Sequence, residues 1–364
     1  MPLSAVNPGR YQQLLDAKVA GVSTLLAPYS PPAPTVYPSA PTGFRMRAEF
    51  RMWHEADELN YVMFRRDDPA TPICIDDFPI GCDRIQQLMP VLRTALKADD
   101  TLRRKLFQVE FLSTLSGETL VTLVYHRKLL PDWEAAAARL ADELQIALVG
   151  RSRKQKIVLG ASFVRESLGV KGRTYCYRQY EQTFTQPNAG VNIAMLTWAC
   201  ERAAAAPGNL LELYCGNGNF TLPLAGHFDQ VIATELAKAS VRAARENLDA
   251  NGIDNVRIIR LSAQEVAQAM RGEREFRRLA ELPQPLGSCD LRTLLVDPPR
   301  AGLDEHTLGM ASEFEAIIYI SCNPETLADN LLLLSQTHRI EHLALFDQFP
   351  YTEHMECGVF LRRR

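Results

Sequence analysis

The sequence predicts an α+β domain with a largely antiparallel sheet over residues 1–180, followed by a doubly wound α/β domain with a seven-stranded, mostly parallel sheet over residues 181–364. Three observations carry this reading. Apolar residues in the first half recur with a period of two, as in half-exposed strands. From about Thr183 short apolar runs alternate with helical periods, the grammar of a parallel sheet covered by helices. A thiol, Cys322, directly follows the apolar run Ala316–Ile320 and precedes Asn323-Pro324, which stops a strand abruptly. It therefore stands at the carboxyl end of a buried strand, where open α/β sheets bind their ligands.

Composition narrows the class. With 364 residues, 46% apolar and 23% charged, the chain is long enough for two separate cores. It holds no run of about 18 apolar residues that would span a membrane. The amino terminus lacks the basic-then-apolar order of a signal peptide, so a cytoplasmic location is expected, with no membrane and no obligate protein partner. Eight cysteines include no C-x-x-C pair, which leaves no spacing for a zinc ribbon or an iron–sulfur cluster. Charge is divided unevenly: residues 1–180 carry 24 basic and 19 acidic side chains, and the remainder 16 and 24. Arg151 to Tyr180 alone holds eight basic residues and one acid beside Tyr175, Tyr177 and Tyr180. Such a block suits either phosphates and stacked bases or a solvated charged face.

Along the chain, residues 8–27 have the apolar spacing of an amphipathic helix that ends in a proline-rich linker, Ser30 to Pro41. Phe44, Met46, Ala48, Phe50 and Met52 then alternate with Arg45, Arg47, Glu49 and Arg51, a strand with three arginines on one face. Further strands are expected at 61–64, 106–112, 120–125 and 146–149, and helices at 85–98 and 133–144. In the second half a helix over 189–206 leads into strands at 210–214, 230–234, 256–259, 293–296, 316–320, 340–345 and 358–361. The charged stretch 271–292 reads as an excursion between elements. A short connection between the last two strands predicts that the final one runs antiparallel.

The first of these strands enters a glycine-rich turn, Glu212-Leu-Tyr214-Cys-Gly216-Asn-Gly218-Asn219-Phe220. Glycines there let a ligand approach the backbone. The next strand ends in Glu235, placed to accept hydrogen bonds from two ribose hydroxyls. Glu212 beside the turn would repel a pyrophosphate and attract a sulfonium and an ammonium group, which favours S-adenosylmethionine over a dinucleotide. The fourth strand closes in Asp297-Pro298-Pro299-Arg300, and a cysteine follows 25 residues beyond Asp297. Enzymes that methylate exocyclic amines have an aromatic residue where Arg300 stands, so the pairing with Cys322 points to carbon. Uracil C5 is too weak a nucleophile to attack a methyl sulfonium unaided. A thiolate must first add to C6, and a base must later remove the C5 proton. Because a free thiol with a pKa of about 8.5 is sparsely ionised at neutral pH, nearby donors or cations would help. His354 and Glu356, just before the last strand, are the candidate bases.

Nearly the whole chain resembles the RNA 5-methyluridine methyltransferases. The resemblance is carried by Phe44-Arg-Met-Arg-Ala-Glu-Phe, Lys105-Leu-Phe-Gln, Phe184-Thr-Gln186-Pro-Asn, the Glu212–Phe220 turn, Asp297-Pro-Pro-Arg, Ser321-Cys-Asn-Pro-Glu-Thr-Leu and His354-Met-Glu-Cys-Gly-Val. It implies a Rossmann-like, S-adenosylmethionine-dependent methyltransferase domain preceded by an α+β RNA-binding domain. It implies Cys322 as nucleophile, Glu356 as acceptor of the C5 proton, and Gln186, Tyr214, Asn219, Glu235 and Asp297 around the cofactor, with Asp297 also holding the uracil. Members acting on ribosomal RNA add an amino-terminal barrel and a four-cysteine cluster, so the tRNA-directed members are the better match and no metal is expected. The implied substrate is uridine 54 in the T-loop of the tRNA T-arm, with T-loop-like RNAs such as tmRNA as further candidates. That base must leave folded RNA to be reached, and Arg51, Phe107 and His126 are the implied stacking residues. Ribosomal RNA methylation, amine methylation and an RNA-binding or folding role without chemistry are the competing readings.

Overall fold

The computed structural model describes residues 6–65, 67–282 and 284–364. Its amino-terminal part runs α1 (Tyr11–Leu26), β1 (Thr35–Tyr37), β2 (Arg47–Glu55), β3 (Glu58–Met63), β4 (Ile73–Cys74), α2 (Asp83–Ala98), α3 (Asp100–Arg103), β5 (Leu106–Ser113), β6 (Thr119–Tyr125), α4 (Pro131–Leu144), β7 (Ala147–Ser152), β8 (Gln155–Leu159), β9 (Phe163–Val170) and β10 (Arg173–Tyr180). The carboxy-terminal part continues with α5 (Ala189–Ala203), β11 (Asn209–Leu213), α6 (Thr221–Leu224), β12 (Val231–Thr234), α7 (Lys238–Asn251), β13 (Val256–Ile259), α8 (Ala263–Met270), β14 (Leu291–Val296), α9 (Glu305–Ala311), β15 (Ala316–Ser321), α10 (Pro324–Leu334), β16 (His338–Phe346) and β17 (Glu356–Arg363). Among the described residues no helix is long and apolar enough to cross a membrane.

The first sheet has the order β4-β3-β2-β5-β6-β7-β8 and is antiparallel except between β6 and β7, which α4 connects. The alternation in its second strand holds: Phe44, Met46, Ala48, Phe50 and Met52 are all buried, while Glu49 and Arg51 are exposed. On the core side Trp133 of α4 is fully buried against Gly150 of β7. A Cβ at Gly150 would stand 2.1 Å from the indole ring, so only glycine lets the helix lie this close.

The second sheet has the order β1-β16-β17-β15-β14-β11-β12-β13, with β17 antiparallel to both of its neighbours. All seven expected strands are present. An eighth comes from the proline-rich stretch read as a linker: Thr35–Tyr37 pairs in parallel with Ala344–Phe346 at the sheet edge. Proline is tolerated beside an edge strand, where one row of backbone groups needs no partner. Helix α1 also belongs here, since Lys18 forms a buried ion pair with Asp347 and Tyr29 donates to the Ala328 carbonyl of α10 at 2.6 Å. Helix α1 and strand β1 thus pack on the carboxy-terminal sheet, across the boundary expected near residue 180.

A two-stranded unit, β9–β10, joins the two sheets. Its turn is Lys171-Gly172, both with positive φ (51° and 81°), the backbone of a tight hairpin. Glu166 sits on its buried face and breaks the apolar alternation that would mark the strand in the sequence. Stretch 271–292 forms short turns at Arg277–Glu281 and Leu286–Ser288.

Candidate active site

Strands β14 and β15 are parallel neighbours, with Val296 beside Tyr319, so Asp297 and Cys322 emerge from the same edge of the sheet. Strand β17 runs the other way and begins at that edge. Its Cys357 pairs with Ser321, so the next residue on each strand, Glu356 and Cys322, face one another. The turn holding the thiol is fixed on both sides. Ser321 Oγ donates to the Asn323 carbonyl at 3.0 Å, and the Asn323 side chain accepts from Glu325 N at 3.2 Å, capping α10 with Pro324 in its first turn. Asn323 Nδ2 and Thr326 Oγ1 each donate to the Arg300 carbonyl at 3.1 Å, which ties the Asp-Pro-Pro-Arg loop to the same turn.

Three proton-binding groups are crowded together here. Burial pushes the Asp297 carboxyl up to about 7. Burial and then Asp297 push Glu356 well above the usual carboxylate range, and Glu356 Oε2 is buried with no hydrogen-bond partner among the described residues. The Cys322 thiol rises to about 11 through burial, Glu356 and Asp297, with Arg300 pulling the other way. Nearby donors or cations would help to ionise the thiol. Instead burial, and after it two acids, favour the neutral thiol, and Arg300 is the opposing charge. The second candidate base, His354, has its Nδ1 3.4 Å from an Arg300 guanidinium nitrogen.

The glycine turn lies two strands away. Tyr214 opens it with φ of 61°, an uncommon backbone for a tyrosine, and Gly216 and Gly218 continue at 57° and 87°. At Gly218 a Cβ would come within 2.8 Å of Leu222, so the turn is closed against α6. Glu235 accepts from Gly216 N at 3.1 Å and from Ala237 N at 2.7 Å, which leaves further lone pairs of its carboxylate for a ligand. Asn219 exchanges two 2.9 Å amide hydrogen bonds with Asn192 of α5. Gln186 accepts from Gln348 Nε2 at 2.9 Å, while it is Asn188 that caps α5. The Tyr214 hydroxyl is pushed up to about 12 by burial and by Asp304. None of Gln186, Tyr214, Asn219, Glu235 and Asp297 carries a positive charge, a set that fits a phosphate-free nucleoside cofactor. Glu212 departs from expectation. It is buried inside β11, and burial and then Asp297 raise it to about 8, towards its neutral form. Its Oε2 is buried with no hydrogen-bond partner among the described residues. Asn192 and Gln348 were not singled out in the sequence, because their partners Asn219 and Gln186 lie on distant elements.

On the amino-terminal sheet Arg51, Phe107 and His126 form one stack. The Arg51 Cζ is 4.1 Å from the Phe107 ring centre, and the Phe107 and His126 rings lie 4.0 Å apart at 25°. A register shift between Leu106 and Gln108 leaves Phe107 as the extra residue of a β-bulge, which re-aims its side chain. Arg51 and His126 are exposed and Phe107 half-buried. The basic block behaves differently from expectation. Tyr175 and Tyr177 are buried, and Tyr180 donates to Glu246. Arg151 and Lys156 pair with Glu181, Lys171 with Glu201 and Arg178 with Glu246, so much of this charge docks the hairpin within the protein. Among the described residues no group of three or more His, Cys, Asp or Glu side chains could hold a metal ion.

Comparison with known proteins bears on this arrangement. A family model described as tRNA (Uracil-5-)-methyltransferase matches residues 10–364. The chain is 52% identical over 364 residues to a tRNA/tmRNA (uracil-C(5))-methyltransferase of Aromatoleum aromaticum, covering 100% of this chain and 98% of that one. It is 53% identical over 363 residues to the protein of the same name from Pseudomonas entomophila, covering 100% of both. Its fold matches the crystal structure of a Pyrococcus abyssi tRNA (uracil-54, C5)-methyltransferase in complex with S-adenosyl-L-homocysteine, with a TM-score of 0.73 over 96% of this chain and 83% of that one, at 21% identity.

Proposed function

The chain belongs to the tRNA (uracil-5-)-methyltransferase family, and from that membership we propose that it methylates C5 of uridine 54 in the tRNA T-loop through a covalent Cys322 adduct. The same reading extends to T-loop-like RNAs such as tmRNA, and a substrate of this kind supports a cytoplasmic location. The observation that carries it is the convergence of Cys322, Glu356 and Asp297 at one sheet edge, because this carbon needs both a nucleophile and a base.

Cys322, deprotonated, adds to C6 of the uracil. The C5–C6 π electrons move onto the C4 carbonyl, making C5 a nucleophile. S-adenosylmethionine, when bound, supplies the methyl group that C5 accepts. Gln186, Tyr214, Asn219 and Glu235 would hold the cofactor's nucleoside and amino acid parts, with Asp297 between the cofactor and the base. Glu356, acting in its carboxylate form, then takes the C5 proton, the electrons re-form the C5–C6 double bond, and the Cys322 thiolate leaves. A carboxylate whose proton affinity is raised by burial is the stronger base for that step. Arg51, Phe107 and His126 replace the stacking that the extruded base loses.

The test is a T-arm RNA carrying 5-fluorouridine at the target position. Fluorine cannot leave as a proton does, so a denaturation-resistant, methylated adduct should accumulate on Cys322. Cys322→Ala should form none and lose turnover by a factor on the order of 10⁴ or more. An adduct formed by Cys322→Ala at the parent's yield would remove this thiol from the mechanism.

A further inference from the structure

We propose that the groove between the loop after β6 and the β7–β8 hairpin holds the phosphate backbone of the RNA stem that adjoins the methylated loop. This rests on the proposed function and deepens it. The groove has a volume of about 680 Å³ and is lined by His126, Arg127, Lys128, Arg151, Arg153 and Lys154, with no acidic residue in its wall. Lys128, Arg153 and Lys154 are exposed and enter no ion pair among the described residues, unlike Arg151 of β7 and Lys156 of β8, which pair with Glu181, and Arg178 of β10, which pairs with Glu246. Their charge is available to a ligand.

The walls are built before any ligand arrives. Gln155 accepts from Leu129 N at 2.9 Å and donates to the Leu129 carbonyl at 3.2 Å, and Ser152 Oγ donates to the Arg127 carbonyl. The Arg127 guanidinium is itself fixed by the Arg104 carbonyl at 2.8 Å and lies 5.4 Å from the Tyr125 ring centre. Two strands and a loop are thereby held at one spacing, with Lys154 at the hairpin tip in a left-handed conformation, φ 62°. His126 lines the groove and is also stacked on Phe107. A nucleotide held on that stack therefore delivers the backbone next to it into a channel of fixed cations. Such a channel tracks phosphates and reads no sequence.

The experiment compares two RNA hairpins with the same loop, one with the full T-stem and one with the stem cut short, binding to the full-length protein over a range of salt. For Lys128→Ala/Arg153→Ala/Lys154→Ala the slope of log K against log salt on the full-stem RNA should fall by about three, and affinity at moderate salt should drop roughly tenfold to a hundredfold. The rate at saturating RNA should be unchanged, and the short hairpin should bind parent and variant alike. Lys154→Glu alone, which needs no wider change of surface, should weaken full-stem binding more than Lys154→Ala does. Equal slopes for parent and variants, or the same loss on both hairpins, would overturn the assignment. Failure of the parent protein to methylate the full-stem RNA would count against the proposed function, and is read separately from the slopes.

Discussion

The two functional regions differ in what they do with charge. At the edge of the carboxy-terminal sheet, Asp297, Glu356 and Cys322 are packed together, all are pushed towards their neutral forms, and Arg300 is the cation acting on the thiol. On the amino-terminal sheet, Arg51 covers Phe107 in the open, and the cations beyond His126 face solvent with no acid in the groove wall. A buried site sets proton affinities through desolvation, which salt screens weakly. An exposed site gathers a polyanion through charges that salt screens strongly. On the proposed function the protein separates holding the RNA from reacting with it, and the two should answer to different variables: pH for the first region, ionic strength for the second.

The largest break of this separation is expected at Glu356. Glu356→Gln keeps the shape of the side chain but cannot take the C5 proton, so turnover should fall by roughly 10² to 10⁴. A methylated RNA linked to Cys322 should build up with natural substrate, while RNA affinity and its salt slope stay those of the parent. Mass spectrometry of the complex decides the matter. Release of 5-methyluridine at the parent rate would pass the role to His354.

Glu235→Ala comes next. It removes the acceptor at the end of β12 that is already oriented by Gly216 N and Ala237 N. The KM for S-adenosylmethionine should rise by the equivalent of about 1.5–3 kcal/mol, on the scale of hydrogen bonds to a charged group. Titration of the RNA should find its affinity unchanged. Lost RNA binding with intact cofactor binding would mean that this end of the sheet faces the other substrate.

Phe107→Ala should act in the opposite sense, weakening RNA by about 1–3 kcal/mol for one lost base stack. Cofactor binding, followed by calorimetry, should not change. An equal effect on both ligands would point to collapse of the bulge in β5 and not to a lost stacking surface.

The limits of the sequence reading follow the same division between buried and exposed. Strands such as Ala316–Ser321 are buried on both faces and appear in sequence as uninterrupted apolar runs. Their ends are correspondingly sharp, which is why Cys322 and Asp297 could be placed at one edge before any coordinates. What a residue meets across the fold was not legible. The basic block looked like an RNA surface, but Glu181, Glu201 and Glu246 neutralise much of it from other elements. Thr35–Tyr37 is three residues between prolines, too short to show a period, and its partner lies some 300 residues on. Burial raises the Cys322 thiol, and the two acids that add to the shift are brought beside it only by the strand register.

Glu212 gives the smallest expected effect and the sharpest test of the claim that the catalytic region is held against its own electrostatics. Its carboxyl is raised from an ordinary 4.5 to about 8 by burial and by Asp297. The folded protein therefore binds a proton that the unfolded chain has released, throughout the interval between those values. Stability from this group is complete below about pH 4.5 and is lost as pH rises through about 8. Glu212→Gln removes the titration, so the variant should melt with the parent at pH 4–5 and progressively above it from pH 6 to 9. The gain should be on the order of 1–2 kcal/mol, less than the full shift implies because water and side-chain relaxation soften a buried charge. Exposed Arg153→Ala, in contrast, should leave the difference in melting from the parent flat against pH. If the gap between Glu212→Gln and the parent were constant across this range, the carboxyl would be ionised or solvated in the folded state, and the contrast between a proton-strained interior and a salt-sensitive surface would lose one of its supports.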